Sequence, residues 1–163
     1  MFQVFDQAQK YIHDYHVGMV DLKFSDLWGR WHHLTLPAAH FKPDIMQKGI
    51  GFDGSAVGLK SVKAGDMVLI PDLHTAFMDP FWDTPTLSFI CTAYEADTYA
   101  SFENDPRNIA IRAEAQLKAS GVADESRWGP EYEFYIFDHV AYEYGTNRAS
   151  YEISSAEADW NSA

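Results

Sequence analysis

The sequence is poor in cysteine, in basic residues and in long apolar runs. Only one of its 163 residues is a cysteine, Cys91, so an internal disulfide is excluded. Its place in the apolar run 87–94 indicates a small buried side chain rather than a catalytic thiol. No apolar stretch approaches the roughly 20 residues that a membrane-spanning helix needs. The N-terminus lacks the basic and apolar regions of a signal peptide, so we expect a cytoplasmic protein.

The shortage of basic residues limits the kinds of molecule that we expect this protein to bind. Lysine and arginine total 12 against 24 aspartates and glutamates, which gives a formal net charge of −12. A nucleic acid or an anionic membrane needs a basic face, so neither is expected as a partner. The phosphate-binding pattern G-x-x-x-x-G-K-[ST] is also missing. Hydrophobic residues make up 47% of the chain, which is enough for a packed core.

The sequence predicts both short helices and short strands along the chain. Helical spacing of apolar residues, or alternation of apolar and polar residues, distinguishes helices from strands. The predicted helices are 2–16, 37–48 and 106–120, and the predicted strands are 19–24, 31–36, 67–71, 87–94 and 131–138. Asp105 and Pro106 give a clear helix start, an N-cap acid followed by proline at the first helical position. Ile109, Ala113 and Leu117 are expected to form the apolar face of that helix.

Two acidic residues stand out on the last predicted strand. Glu131 and Glu133 are two positions apart, so on a strand they share one face with roughly 6.6 Å between their α-carbons. Such close carboxylates repel unless positive charge lies between them, and a pair of divalent ions would suit them. Their oxygen donors favour Mg²⁺ or Mn²⁺. An edge strand with a solvated acidic face explains the same pattern.

A glycine-rich segment, residues 49–60, is predicted to be a loop. It contains four glycines and reads Gly51-Phe52-Asp53-Gly54-Ser55 at its centre. Glycine lets a backbone approach a ligand closely, and Asp53 could hold a small cation. An ordinary surface turn is the alternative. His32, His33 and His40 are given no metal role, because neighbouring strand residues point to opposite faces.

Taken in order, these segments resemble the glutamine synthetase family. The resemblance is carried by the hairpin MVDLKFSDLWGRWHHLTLP and by GFDGSAVG, GDMVLIPD and MDPFWDTPTLSFIC. It continues through NDPRNIAIRAEAQLKASG and GPEYEFYIFD to WNSA at residues 160–163. It implies an α+β fold, with a β-grasp domain at about 17–103 preceded by the helix 2–16. Residues 104–163 would then begin a catalytic domain, contributing its first helix and strand.

The resemblance also implies a reaction and a set of site residues. The family joins ammonia to glutamate, using ATP as a substrate and two or more Mg²⁺ or Mn²⁺ ions, through a γ-glutamyl phosphate. Glu131 and Glu133 match two glutamates that each bind a different metal ion, and Gly129 matches a backbone position near the nucleotide. Asp53, with Ser55 in the same loop, matches the site that attracts ammonium. In the family this loop enters the active site of a neighbouring subunit, which implies a homo-oligomer.

Two positions depart from the family pattern. Ala56 stands where the loop usually has a second serine, and Lys60 stands at a position that is aromatic in many members. Two glutamates cannot fill the coordination spheres of two ions. We therefore expect the chain to be part of a longer protein and to be inactive by itself. A ligase that joins glutamate to a polyamine or another amine, and a non-catalytic β-grasp scaffold, remain as alternatives.

Overall fold

A computed structural model describes residues 1–161, so Ser162 and Ala163, which end the predicted second domain, lie outside the described residues. The chain forms two compact units, residues 1–126 and residues 127–163. The assignment of residues 17–103 and 104–163 to separate domains stays a prediction. In the described part of the chain, no helix combines the length and the apolar character that crossing a membrane requires.

The first unit is a mixed sheet with three α-helices. Its strands run in the order β2-β1-β6-β4-β3, and β5 pairs with β6. Strands β1 and β6 are parallel, and the other neighbours are antiparallel. The strands are β1 (Met19–Ser25), β2 (Trp31–Pro37), β3 (Ile50–Asp53), β4 (Asp66–Pro71), β5 (Phe77–Met78) and β6 (Thr86–Glu95). The helices are α1 (Phe5–Asp14), α2 (Ile45–Lys48) and α3 (Pro106–Ala119).

The apolar core lies on one face of this sheet. Val20, Leu22 and Phe24 alternate along β1 and are all buried, as the sequence pattern predicts. The parallel register places Leu87 beside Val20 and Phe89 beside Leu22, so the two central strands share this face. The other members of this core come from the remaining elements and connecting segments of the unit, and they are Phe2, Ala8, Val17, Phe41, Ile45, Leu59, Met67, Leu69, Leu73, Ala76, Cys91, Ala93 and Phe102.

The other face of β1 carries a buried polar layer. Asp21 is 1% exposed, and its Oδ1 accepts a hydrogen bond from Thr35 Oγ1 at 2.6 Å and lies 2.7 Å from His33 Nδ1. Lys23 Nζ donates to Asp79 Oδ2 at 2.6 Å. These hydrogen bonds and ion pairs offset part of the free-energy cost of burying the charged groups.

The predicted single helix over 37–48 is wrong, because the segment divides into two separate helical turns, a 3-10 turn and the four-residue helix α2. Residues Ala38–His40 form one 3-10 turn, and α2 begins only at Ile45. Pro43 explains the break, since the residue before a proline is pushed out of the helical region. Phe41, between the two turns, is buried instead in the core, where its ring stacks on Phe89 at 5.1 Å between centroids.

The prediction that residues 49–60 form only a loop is wrong at its start. Residues Ile50–Asp53 form β3, which pairs antiparallel with β4 at the edge of the sheet. Gly49 makes this pairing possible, because its φ is +64° and a Cβ there would lie 2.8 Å from the carbonyl oxygen of Leu69. No other residue type accepts both that backbone conformation and that close approach.

Helix α3 begins as predicted, at the N-cap Asp105. Asp105 Oδ1 accepts from Arg107 N at 3.2 Å, and its Oδ2 accepts from Ala93 N of β6 at 3.0 Å. Burial raises the pKa of this carboxyl. The predicted apolar face is not buried, because Ile109 is 47% exposed. Asn108 is buried instead and donates to the carbonyls of Ala93 and Phe102.

Removing the Asp105 side chain should therefore destabilise the first unit. Asp105→Ala deletes a helix cap and leaves the buried Ala93 N–H without its acceptor. We expect the free energy of unfolding to fall by about 2 kcal/mol, measured by urea denaturation. Asp105→Asn keeps one acceptor oxygen and should lose less than the alanine variant. Equal stability of the alanine variant and the wild type would contradict the assigned role.

The second unit contains an antiparallel hairpin that sequence reasoning missed. Strands β7 (His139–Gly145) and β8 (Arg148–Ser154) pair with Tyr142 opposite Tyr151. The alternation of aromatic and polar residues around the turn 145–148 is a signal that could have predicted it. Both tyrosines are at least 80% exposed.

Candidate functional site

The predicted ammonium-site residues lie together at the end of β3. The strand ends at Asp53, and a 3-10 turn, Gly54–Val57, follows directly. Asp53 caps this turn, because its Oδ1 accepts a hydrogen bond from Ser55 N at 2.9 Å. The structure therefore brings Asp53 and Ser55 into contact, as their spacing in the sequence suggests.

The Asp53 carboxylate is suited to attract a cation. Its side chain is exposed. The side-chain and backbone hydrogen bonds of Ser55 hold the pKa of Asp53 below its ordinary value. Hydrogen bonds to the charged form favour that form, so Asp53 is anionic at neutral pH. An exposed carboxylate with a fixed orientation can bind a small cation.

Two glycines, Gly54 and Gly65, allow the loop that carries Asp53 to pack closely against neighbouring residues. A Cβ at Gly65 would overlap Asp53 Oδ1, and a Cβ at Gly54 would overlap the Met67 sulfur. Gly54 N also donates to the carbonyl of Gly65 at 2.8 Å. The Asp53 carboxylate thus rests on the bare backbone of Gly65. Sequence reasoning missed Gly65, since its role depends on the pairing of β3 with β4.

Lys60, which departs from the family pattern, forms an ion pair with Glu95 at the end of β6. The lysine side chain is 17% exposed and the glutamate side chain 28%. Both line an open surface pocket of about 370 Å³, together with Ala64, Asp66, Ala96 and Asp97. The charge of Lys60 is therefore compensated within the first unit. Ala56, the other departure, is exposed.

The predicted strand over 131–138 is wrong. Residues 131–137 have no strand pairing in the described part of the chain, and Asp138 N donates instead to Ser154 O at 2.9 Å. A strand is stabilised by the neighbour with which it exchanges hydrogen bonds, and the pattern of side chains does not supply one. Tyr132, Phe134 and Ile136, which the sequence pattern assigns to a core face, are 72% to 85% exposed.

Glu131 and Glu133 are both exposed in this segment. Gly129 precedes them, and a Cβ there would meet nothing within 4 Å, so packing does not require a glycine. The roles of these three residues stay predictions. Two oxygen donors are the right chemical kind for Mg²⁺ or Mn²⁺. Among residues 1–161, however, no three histidine, cysteine or acidic side chains are grouped so that they could hold a metal ion. By themselves, Glu131 and Glu133 would supply only part of a coordination sphere.

The histidines of the β1–β2 hairpin have separate aspartate partners. His32 Nε2 lies 2.9 Å from Asp26 Oδ2, and His33 Nδ1 lies 2.7 Å from Asp21 Oδ1. Adjacent strand residues face opposite sides, so these two imidazoles serve different polar clusters.

Two family profiles match this chain, one in its N-terminal part and one in its C-terminal part. The family profile described as "Glutamine synthetase, beta-Grasp domain" matches residues 16–96. The profile described as "Glutamine synthetase, catalytic domain" matches residues 103–162. The first match confirms the predicted β-grasp fold of the N-terminal part.

This chain is similar to curated proteins that carry two different names. The glutamine synthetase of Pasteurella multocida is 44% identical over 153 residues, which are 93% of this chain and 32% of the relative. A 3-hydroxylaminophenol mutase of Cupriavidus pinatubonensis is 40% identical over 163 residues, 99% of this chain and 35% of the relative. The chain thus spans about a third of the length of these relatives.

A solved structure supports the fold. A glutamine synthetase of Plasmodium falciparum, determined by electron cryomicroscopy, matches with a TM-score of 0.72 and 19% sequence identity. The match covers 99% of this chain and 32% of that chain. At this identity the likeness concerns the fold alone.

Proposed function

The chain belongs to the glutamine synthetase family, and we propose that it forms the N-terminal part of an enzyme that joins ammonia to glutamate with ATP. The observation that carries the proposal is the match of two successive family domains, with Asp53 in the first and Glu131 and Glu133 in the second. A scaffold module has no need of this combination of residues. The retained carboxylates therefore favour a ligase.

The proposed reaction has two steps. The side-chain carboxylate of glutamate attacks the terminal phosphorus of ATP, which forms γ-glutamyl phosphate and releases ADP. Ammonia then attacks the acyl carbon, the bond to the phosphate oxygen breaks, and glutamine and phosphate leave. Ammonium must lose a proton before its nitrogen can attack. The exposed Asp53 carboxylate, oriented by Ser55 and held in its anionic form, would attract ammonium and help to deprotonate it.

Glu131 and Glu133 would each hold one divalent ion, with further ligands from the rest of a longer protein. When bound, the ions neutralise the charge of the phosphates during transfer. Gly129 would let the backbone lie close to the nucleotide. The proposal also includes a cytoplasmic homo-oligomer, in which the Asp53 loop of one subunit enters the site of its neighbour.

The test is the substrate dependence of the full-length protein. We expect the purified protein to form glutamine and phosphate from glutamate, ATP and ammonia in the presence of Mg²⁺ or Mn²⁺. A polyamine in place of ammonia should give little product, and 3-hydroxylaminophenol should not be isomerised. Product with a polyamine but not with ammonia would assign the protein to the alternative ligase. Isomerisation of 3-hydroxylaminophenol without any glutamine formation would contradict the ligase proposal.

The 163-residue chain by itself should make no glutamine. Phosphoryl transfer depends on positioning and charge neutralisation, and Glu131 and Glu133 supply only part of the metal coordination. A γ-glutamyl transfer assay on the purified chain, produced in a host that lacks its own glutamine synthetase, measures this directly. Turnover that EDTA abolishes would contradict the prediction.

A further inference from the structure

The tip of the β1–β2 hairpin lies against the loop that carries Asp53. A Cβ built on Gly58 would lie 2.9 Å from Cζ3 and 3.2 Å from Cη2 of Trp28. The six-membered ring of the indole therefore lies directly against the bare backbone of Gly58. Gly58 has a φ of +75°, a conformation that favours glycine. Its backbone conformation and its close contact with Trp28 therefore both require a residue without a side chain.

Gly58 is the residue that closes the turn after Asp53. Its N–H donates to Ser55 O at 3.2 Å, and Leu59 N donates to Gly54 O at 2.9 Å. Ser55 in turn donates its backbone N–H to the Asp53 carboxylate. A side chain that fixes Gly58 therefore fixes the turn that orients Asp53.

Trp28 is itself held in place by a buried aspartate. Asp26, which is 2% exposed, accepts hydrogen bonds at its Oδ1 from Trp28 N at 2.8 Å and from Arg30 N at 2.9 Å. Asp26 Oδ2 lies 2.9 Å from His32 Nε2. These hydrogen bonds hold the backbone of the hairpin turn at Trp28, the residue that carries the indole.

The exposure of Trp28 argues against a role in the core. The side chain is 70% exposed, and Leu27 beside it is 47% exposed. Large aromatic side chains are usually buried, and a solvated tryptophan at a hairpin tip contributes little to folding stability. Its contact with Gly58 is consequently the feature of Trp28 that bears on the proposed site.

We propose that Trp28 is a positioning residue for the Asp53 loop and that it sets the place of the ammonium-binding carboxylate. The inference rests on the proposed ligase function. Trp28 acts through Gly58 and Ser55 and does not itself touch the reacting atoms. Its loss should affect the step that uses ammonia and leave the binding of ATP and glutamate unchanged.

The experiment compares full-length variants by steady-state kinetics, with ammonia, ATP and glutamate varied separately. Trp28→Ala should raise the KM for ammonia roughly tenfold, because small misplacement of a reactive group has effects of at least this order. Trp28→Phe keeps an aromatic ring against Gly58 and should restore most of the ammonia affinity. Gly58→Ala introduces a methyl group where the indole lies and should also raise the ammonia KM. If Trp28→Ala does not fold, a wild-type ammonia KM in Gly58→Ala still refutes the positioning role.

Trp82→Ala is the matched control. Trp82 is another exposed tryptophan, and its ring packs against His33 at 6.2 Å rather than against Gly58. This variant should keep the wild-type ammonia KM. Asp53→Ala, measured in parallel, separates the proposed ammonium site at Asp53 from the positioning role of Trp28. If Asp53→Ala raises the ammonia KM while Trp28→Ala and Gly58→Ala do not, the positioning role is refuted and the proposed function stands.

Two further outcomes would overturn the inference. An unchanged ammonia KM in Asp53→Ala would refute the ammonium site and the positioning role together. A parallel rise in the KM for all three substrates in Trp28→Ala, with a lowered Tm, would show that Trp28 has only a structural role.

Discussion

Replacing either Glu131 or Glu133 by glutamine in the full-length protein should lower kcat on the order of a hundred- to a thousandfold, the range seen when a charge-stabilising group is removed from an active site. Glutamine keeps the size of the side chain and one acceptor oxygen but removes the charge. Both residues are exposed in this chain, so the substitution itself should not disturb a packed core.

The two variants should nevertheless differ from each other. One ion is expected to help hold glutamate and the other to help hold the phosphates of ATP. Glu131→Gln and Glu133→Gln should therefore shift the dependence of the rate on different substrates. A common shift in both would indicate that the two carboxylates share one ion.

Direct metal binding decides between ligands and a solvated acidic face. Mn²⁺ titration of the full-length protein and its variants, followed by calorimetry or electron paramagnetic resonance, should show one weakened ion in each variant. Glu152→Gln is the matched control, since this carboxylate lies exposed on β8 and has no assigned role. If Glu131→Gln and Glu133→Gln bind the wild-type number of ions with unchanged affinity, the proposed ligand role is wrong.

Asp53→Ala in the full-length protein should weaken the apparent ammonia affinity about ten- to a hundredfold, because a charge-assisted contact contributes roughly 1.5–3 kcal/mol. The KM for ATP should change little. Steady-state rates with ammonia varied at saturating glutamate and ATP measure this effect. An unchanged ammonia dependence would leave Asp53 as a turn residue.

Asp53→Asn separates the charge of Asp53 from its capping role. Asparagine can still accept the hydrogen bond from Ser55 N, so the turn should keep its shape while the attraction for ammonium is lost. We therefore expect Asp53→Asn to resemble Asp53→Ala in its ammonia KM. Asp66→Asn is the matched control, because Asp66 is the exposed carboxylate paired with Asp53 across β3 and β4. A defect in Asp53→Ala alone would mean that the turn, and not the charge, matters.

The sequence was most informative where structure depends on neighbouring residues. The alternation in β1 and β2, the apolar spacing of α1 and the Asp105–Pro106 start of α3 all appear in the structure. Each is a local signal, because backbone geometry fixes which side chains share a face and which groups need a cap. The Asp53–Ser55 contact belongs with them, since an aspartate readily bonds the backbone two residues on.

The sequence was misleading where a strand needs a partner. Residues 131–138 are rich in the aromatic and β-branched residues typical of strands and form no strand in the described chain, whereas residues 50–53 look like a glycine loop and form β3. Strand formation depends on hydrogen bonds to another segment, and a pattern within one segment does not say whether that segment is present.

By itself, the sequence determined β1, β2, α1 and the start of α3, the acidic character, and the identity and spacing of Asp53, Ser55, Glu131 and Glu133. Only the tertiary structure decided that Gly65 lies against Asp53 and that Trp28 lies against Gly58. Gly65 and Asp53, 12 positions apart, meet when β3 pairs with β4, and Trp28 and Gly58, 30 positions apart, meet only after the sheet has brought the hairpin and the loop together. Close approach of distant backbone segments follows from strand pairing and packing, and these are properties of the folded chain as a whole.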